Sequence, residues 1–188
     1  MSIRLEKTDI MSLSIDLVWI FYLTKLEEIM KVAIHSRESI EKMNNYEIAE
    51  NTVAISFYDP APHYNGPTYF PVDYTKKVDN VFYIPLRDID IEILPDYNLT
   101  YETYFPEAEE LAKFIYDAVE NRYDIICQCE FGQSRSAGCA AAIREHFYKD
   151  GIRIFADYRY YPNQMVYHKV YDALKAEGLR RNGLKADV

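Results

Sequence analysis

Apolar and polar positions alternate along this chain with two different periods. Val32 to Ile34, Thr52 to Phe57 (TVAISF), Val81 to Leu86 (VFYIPL, with Pro85 marking its end) and Asp124 to Gln128 are short runs rich in branched and aromatic residues, each predicting a strand. Between them the spacing changes to three and four. Tyr104, Phe105, Ala108, Leu111, Ala112, Ile115, Ala118 and Val119 make one stripe, which predicts an amphipathic helix with Pro106 in its first turn. Ser36 opens a helical run through Ile40 and Met43 with Glu38 in its first turn. Ser136 to Tyr148 predicts a helix whose small residues, Ala137, Gly138, Ala140, Ala141 and Ala142, permit close approach to a sheet. Pro162 starts a last helix carrying Val166, Tyr167, Val170, Tyr171 and Leu174, and Gly178 is read as its stop. Tyr58 to Tyr74, with Pro60, Pro62, Pro67 and Pro71, is expected to be a long surface loop. Its aromatics (Tyr58, His63, Tyr64, Tyr69, Phe70) would either line a pocket entrance or pack. Strands alternating with helices predict an α/β fold: a single domain with a central, largely parallel sheet flanked by helices.

Composition narrows the function classes. A chain of 188 residues with 49% hydrophobic and 27% charged residues is sized for one globular domain. A net charge of -9 argues against a nucleic-acid surface, because phosphate backbones are held by clustered Lys and Arg. The apolar stretch from Ile10 to Leu23 contains Asp16 and is far short of the roughly 20 residues that span a bilayer, so no membrane segment is expected. Three cysteines without a leader-like segment suit a reducing, cytoplasmic compartment with free thiols. Residues 1–29 stand apart as an extension to a domain over 30–188. They read either as an added element or as sequence ahead of a native start at Met30, since Glu27-Glu28 is what a purine-rich ribosome-binding site would spell in frame.

The candidate chemistry lies where the fourth strand meets the following helix, in IICQCEFGQSRSAG (Ile125 to Gly138). In α/β folds ligands gather beyond the carboxyl ends of strands, where helix N-termini present unpaired amides. If 130–135 curl round, with Gly132 taking a positive φ, their amides form an anion nest above Cys129. Arg135 adds a planar fork for two phosphate oxygens, and the amides and helix dipole favour the thiolate over the thiol. The plainer alternative is a buried cysteine beside a helix-capping serine. Cys127 and Cys139 are read as small core residues.

CEFGQSRS resembles the C-x2-G-x-S-R-S active-site loop of the cysteine-dependent protein tyrosine phosphatase superfamily, most of all its compact dual-specificity type and bacterial relatives. HSRESIEKM, TVAISFYDP, LRDID, FPEAEELAKFI and YYPNQMVYHKVYDAL are similar to family segments in the same order, so the likeness runs from Met30 to Gly178. The resemblance implies that Cys129 attacks phosphorus to give a phosphocysteine, that Arg135 holds the phosphoryl group within the loop Glu130, Phe131, Gly132, Gln133 and Ser134, and that Ser136 helps the thiolate leave. It implies a loop aspartate as general acid and then base. Asp88 matches the family pattern best; Asp96 and Asp90 are the alternatives. No metal or cofactor is implied. Gln128 stands where the family carries histidine. It can still hydrogen-bond the loop backbone but carries no charge, which predicts a less readily ionised thiol than in histidine-bearing relatives.

The expected substrate is a phosphorylated protein, phosphotyrosine first, or a small phosphate ester; uncharged Phe131 and acidic Glu130 beside Cys129 disfavour an inositol phosphate. The alternatives are a phosphatase for a nucleotide, RNA end or inositol phosphate, or a phosphate-binding module of low turnover. The oligomeric state is left open.

Overall fold

The structure is a computed structural model, and it describes residues 30–43, 47–59, 70–74 and 78–183. The extension over 1–29, and most of the proline-rich loop with His63, Tyr64 and Tyr69, lie outside the described residues.

Four strands form the sheet: β1 (Val32–Ser36), β2 (Thr52–Tyr58), β3 (Asn80–Pro85) and β4 (Asp124–Cys129). They lie in the order β1-β4-β2-β3 and every pairing is parallel. The register sets Ile34 and Ile55 beside Cys127, and His35 and Ser56 beside Gln128. All four strands therefore end at the same edge.

The helices are α1 (Arg37–Lys42), α2 (Tyr101–Tyr104), α3 (Ala108–Glu120), α4 (Arg135–Tyr148), α5 (Ile152–Phe155) and α6 (Gln164–Arg181), with a 3-10 helix over Ile91–Tyr97. Ser36 caps α1 by accepting from the Ser39 amide at 3.1 Å. Buried Ile40 of α1 packs with Ala54, Val72, Tyr74 and Ile126 on one side of the sheet. On α4 every residue from Arg135 to Ile143 is buried, as its small residues imply. At Gly138 a Cβ would come within 2.5 Å of the Asn163 carbonyl oxygen, so only glycine lets the start of α6 lie this close.

Two expectations need correction. The stripe from Tyr104 to Val119 is not one helix. Phe105 precedes Pro106, and proline pushes its predecessor out of the α region, here to φ -135°. The chain makes the short α2, opened by a reciprocal Thr100 and Thr103 cap and ended at Phe105, and restarts at Ala108. Nor does Gly178 stop the last helix. It is buried inside α6 against Tyr116, whose hydroxyl oxygen would lie 2.4 Å from an added Cβ. The helix runs on to Arg181, supported by Glu177 accepting from both Arg180 and Arg181. A helix-ending glycine needs a left-handed backbone; one that makes room for a neighbour does not.

Candidate functional site

Cys129 ends β4 and is 1% exposed. Its Sγ lies 3.1 Å from Oγ of Ser136, in the first turn of α4. The connecting loop turns at Gly132, whose φ is +68°, and a Cβ there would sit 2.6 Å from the Ser36 amide nitrogen. Both the conformation and the space therefore require glycine. Three loop carbonyls are taken by neighbouring segments: Glu130 O accepts from the Arg37 amide (3.1 Å), Gln133 O from Tyr161 (2.9 Å) and Ser134 O from Asn163 (3.2 Å). Carbonyls engaged elsewhere are what an anion-binding nest of amides requires.

Arg135 opens α4 and is 2% exposed. Nη1 and Nη2 donate to the two oxygens of Asp59, each at 3.3 Å, and Nη1 also donates to the Leu86 carbonyl. Nε has no hydrogen-bond partner among the described residues; the nearest acid, Asp88 Oδ2, stands 3.7 Å away. An orphaned donor on a buried cation is costly unless a ligand meets it.

Asp88 follows β3. Its Oδ1 accepts from Ser134 Oγ (2.7 Å) and Asn163 Nδ2 (3.0 Å), so the carboxylate is tied to the loop and to the start of α6, while Oδ2 is the oxygen nearer Arg135 Nε. Of the three candidate acids, Asp88 is the one with these loop contacts. Asp90 stands at the N-cap position of the 3-10 helix with no side-chain capping bond and Asp96 lies within the helix; all three acids are exposed. Asn163 does several things at once: Oδ1 caps α6 by accepting from Val166, Nδ2 also reaches the Ile89 carbonyl, and its amide holds Ser134.

Gln128 is fully buried, but it does not bond the loop backbone as expected. Its Oε1 accepts from Ser56 Oγ (2.6 Å) and Tyr74 OH (3.3 Å), and Nε2 has no partner among the described residues. The reason is register: Ser56 stands beside Gln128 across β2 and β4, so the amide oxygen meets a hydroxyl before it can reach the loop. Burial pushes the Tyr74 hydroxyl above its ordinary range, so it stays a donor. Burial likewise raises the Cys127 thiol, which keeps it an inert core group.

At the rim, Phe131 is 75% and Phe70 71% exposed. Arg37 Nε donates to Glu130 Oε2 at 2.8 Å, and Nη2 donates to the Phe70 carbonyl. The loop's own acid is thus paired with a cation from α1. Asp59, Asn163 and Arg37 are site residues that the motif does not mark. Among the described residues no cluster of His, Cys, Asp or Glu is arranged to hold a metal ion, and no helix is long and apolar enough to cross a membrane.

No family model matches the sequence, and no curated protein matches it. Among solved structures, the chain is similar to human DUSP28, at 14% identity over 81% of this chain and 97% of that one, with a TM-score of 0.47. It is also similar to the human tyrosine phosphatase-like serine/threonine/tyrosine-interacting protein, at 14% identity over 81% and 95%, with a TM-score of 0.46. A third is PTPMT1 in complex with PI(5)P, at 12% identity over 82% and 96%, with a TM-score of 0.48.

Proposed function

We propose that this chain hydrolyses phosphoric monoesters through a phosphocysteine at Cys129, in the manner of a protein tyrosine phosphatase. The observation that carries the reading is the unpartnered Nε of Arg135, presented by a buried guanidinium at the helix start next to the Cys129 loop. A phosphate seated over the thiolate would meet that donor, the loop amides and the α4 dipole together.

The steps then assign themselves to residues in place. The Sγ electron pair attacks phosphorus, the P–O bond to the leaving group breaks, and Asp88 gives its proton to the departing oxygen. Asp88 next takes a proton from water, whose oxygen attacks phosphorus as the P–S bond breaks. The Ser136 hydroxyl, 3.1 Å from Sγ, donates to the sulfur that leaves as thiolate. Anchoring Asp88 through Oδ1 leaves Oδ2 to carry the proton.

The rim supports an aryl phosphate such as phosphotyrosine. Exposed Phe70 and Phe131 suit an aromatic leaving group, and Arg37 is already engaged by Glu130 rather than offered to a second phosphate. Phosphate release from a phosphotyrosyl peptide should exceed that from matched phosphoserine peptides, nucleotides, RNA ends and inositol phosphates. Turnover of one of the non-protein esters above the peptide would replace this substrate, and binding without turnover of any of them would leave a phosphate-binding module.

A further inference from the structure

The reaction above makes no use of one acid. Asp59 directly follows β2, and its side chain is 16% exposed. It grips Arg135 through both oxygens. A guanidinium has five N–H groups, disposed along edges that can each meet two oxygens. Asp59 spans the end edge between Nη1 and Nη2, and the Leu86 carbonyl takes a further Nη1 hydrogen. What is left is the side edge: Nε–H, with no hydrogen-bond partner among the described residues and Asp88 Oδ2 3.7 Å away, and the Nη2 hydrogen beside it.

We infer that Asp59 is a positioning residue, which holds the Arg135 plane so that its side edge alone is offered to the phosphoryl group. The inference rests on the phosphatase reading of the Cys129 cradle. Without a counterion on the end edge the guanidinium is free to present either edge. With Asp59 in place the fork is aligned before substrate arrives, and nothing need reorganise during the reaction. Alignment matters most for the equatorial oxygens of the five-coordinate transition state. Asp59 also offsets the charge of Arg135, so it weakens the attraction for a ground-state phosphate. Its removal should therefore act unequally on the two states.

The test uses the full chain with Asp59→Asn and Asp59→Ala. The readouts are kcat and KM for p-nitrophenyl phosphate, inhibition constants for inorganic phosphate and for orthovanadate, which takes five-coordinate geometry over a thiolate, and Tm. We expect kcat to fall at least ~10-fold without a rise in KM. The ratio of the phosphate constant to the vanadate constant should fall by a similar factor. Asp59→Asn should lose less than Asp59→Ala, because its amide oxygen keeps one acceptor. These ratios do not depend on how much protein is folded. Wild-type kcat and ratio in both variants would overturn the inference, as would a kcat that drops only in step with folded protein while the ratio holds. A wild-type protein that neither turns over nor responds to vanadate would instead sink the phosphatase reading, visibly and without any variant, and the role of Asp59 with it.

Discussion

The two ends of the same parallel sheet both carry clustered acids, and they behave differently. At the amino end the carboxylates close off the structure: Asp124 accepts from the Lys31 amide at 2.8 Å and Asp79 from the Thr52 amide at 3.1 Å, while Asp117 takes Arg181 at 2.6 Å. In the hollow among Asp79, Phe114, Asp117 and Tyr123, about 330 Å³, the side chains of Asp79, Asn80, Asp117 and Asn121 already have hydrogen-bond partners. At the carboxyl end Asp59 and Asp88 stand around a cation whose Nε has no hydrogen-bond partner among the described residues, next to a cysteine loop whose Glu130, Gln133 and Ser134 carbonyls bond to neighbouring segments. The amino-end hollow has shape without an unspent donor among the described residues. The unspent donor singles out the other end, because a buried cation keeps an empty edge only where something is to fill it.

Substitutions that separate the ends rank as follows. The largest loss belongs to the nucleophile: Cys129→Ser should remove p-nitrophenyl phosphatase activity by roughly 10³-fold or more, and Arg135→Lys, which replaces the planar fork with a point charge, by roughly 10²–10³-fold. Asp88→Asn should lower kcat by about 10²-fold on a phosphotyrosyl peptide, and by less on p-nitrophenyl phosphate, whose leaving group needs little protonation. Steady-state kinetics on both substrates checks the series. An Asp88→Asn variant with unchanged kcat on the peptide would move the acid to Asp96 or Asp90.

A smaller pair of effects contrasts the ends directly. Gly132→Ala forces a side chain into a positive φ and against the Ser36 amide, so it should destabilise the fold by about 1–3 kcal/mol and lower kcat as well. Asp79→Asn weakens one hydrogen bond at the start of β2 and should cost about 1 kcal/mol with kcat unchanged. Urea unfolding and turnover, measured on the same preparations, tell them apart. Equal losses of turnover would erase the distinction between the ends.

The strands, the parallel sheet and the loop around Cys129 were legible because their signals are local: apolar runs of strand length, a glycine at the turn, and an arginine and serine at a helix start. The position of Asp88 beside the loop was legible from its place just past a strand. The bonds of Asp59 to Arg135 were not, although Asp59 lies in TVAISFYDP, because they depend on β2 lying beside β4, which no spacing along the chain reports. Asn163 reads locally as a helix cap; its bonds to Asp88, Ile89 and Ser134 join segments far apart in sequence. Gln128 failed as a reading for the same reason, its partners being set by strand register. Gly178 misled because the letter does not say whether a glycine is there for its backbone or for the room it leaves.

The most direct test is a crystal of the protein soaked in vanadate or tungstate. The account predicts an oxyanion over the Cys129 sulfur with two of its oxygens on Nε and Nη2 of Arg135, and Asp59 still paired with the opposite edge. An empty loop, or an anion that binds through the Nη1 and Nη2 end and displaces Asp59, would contradict it.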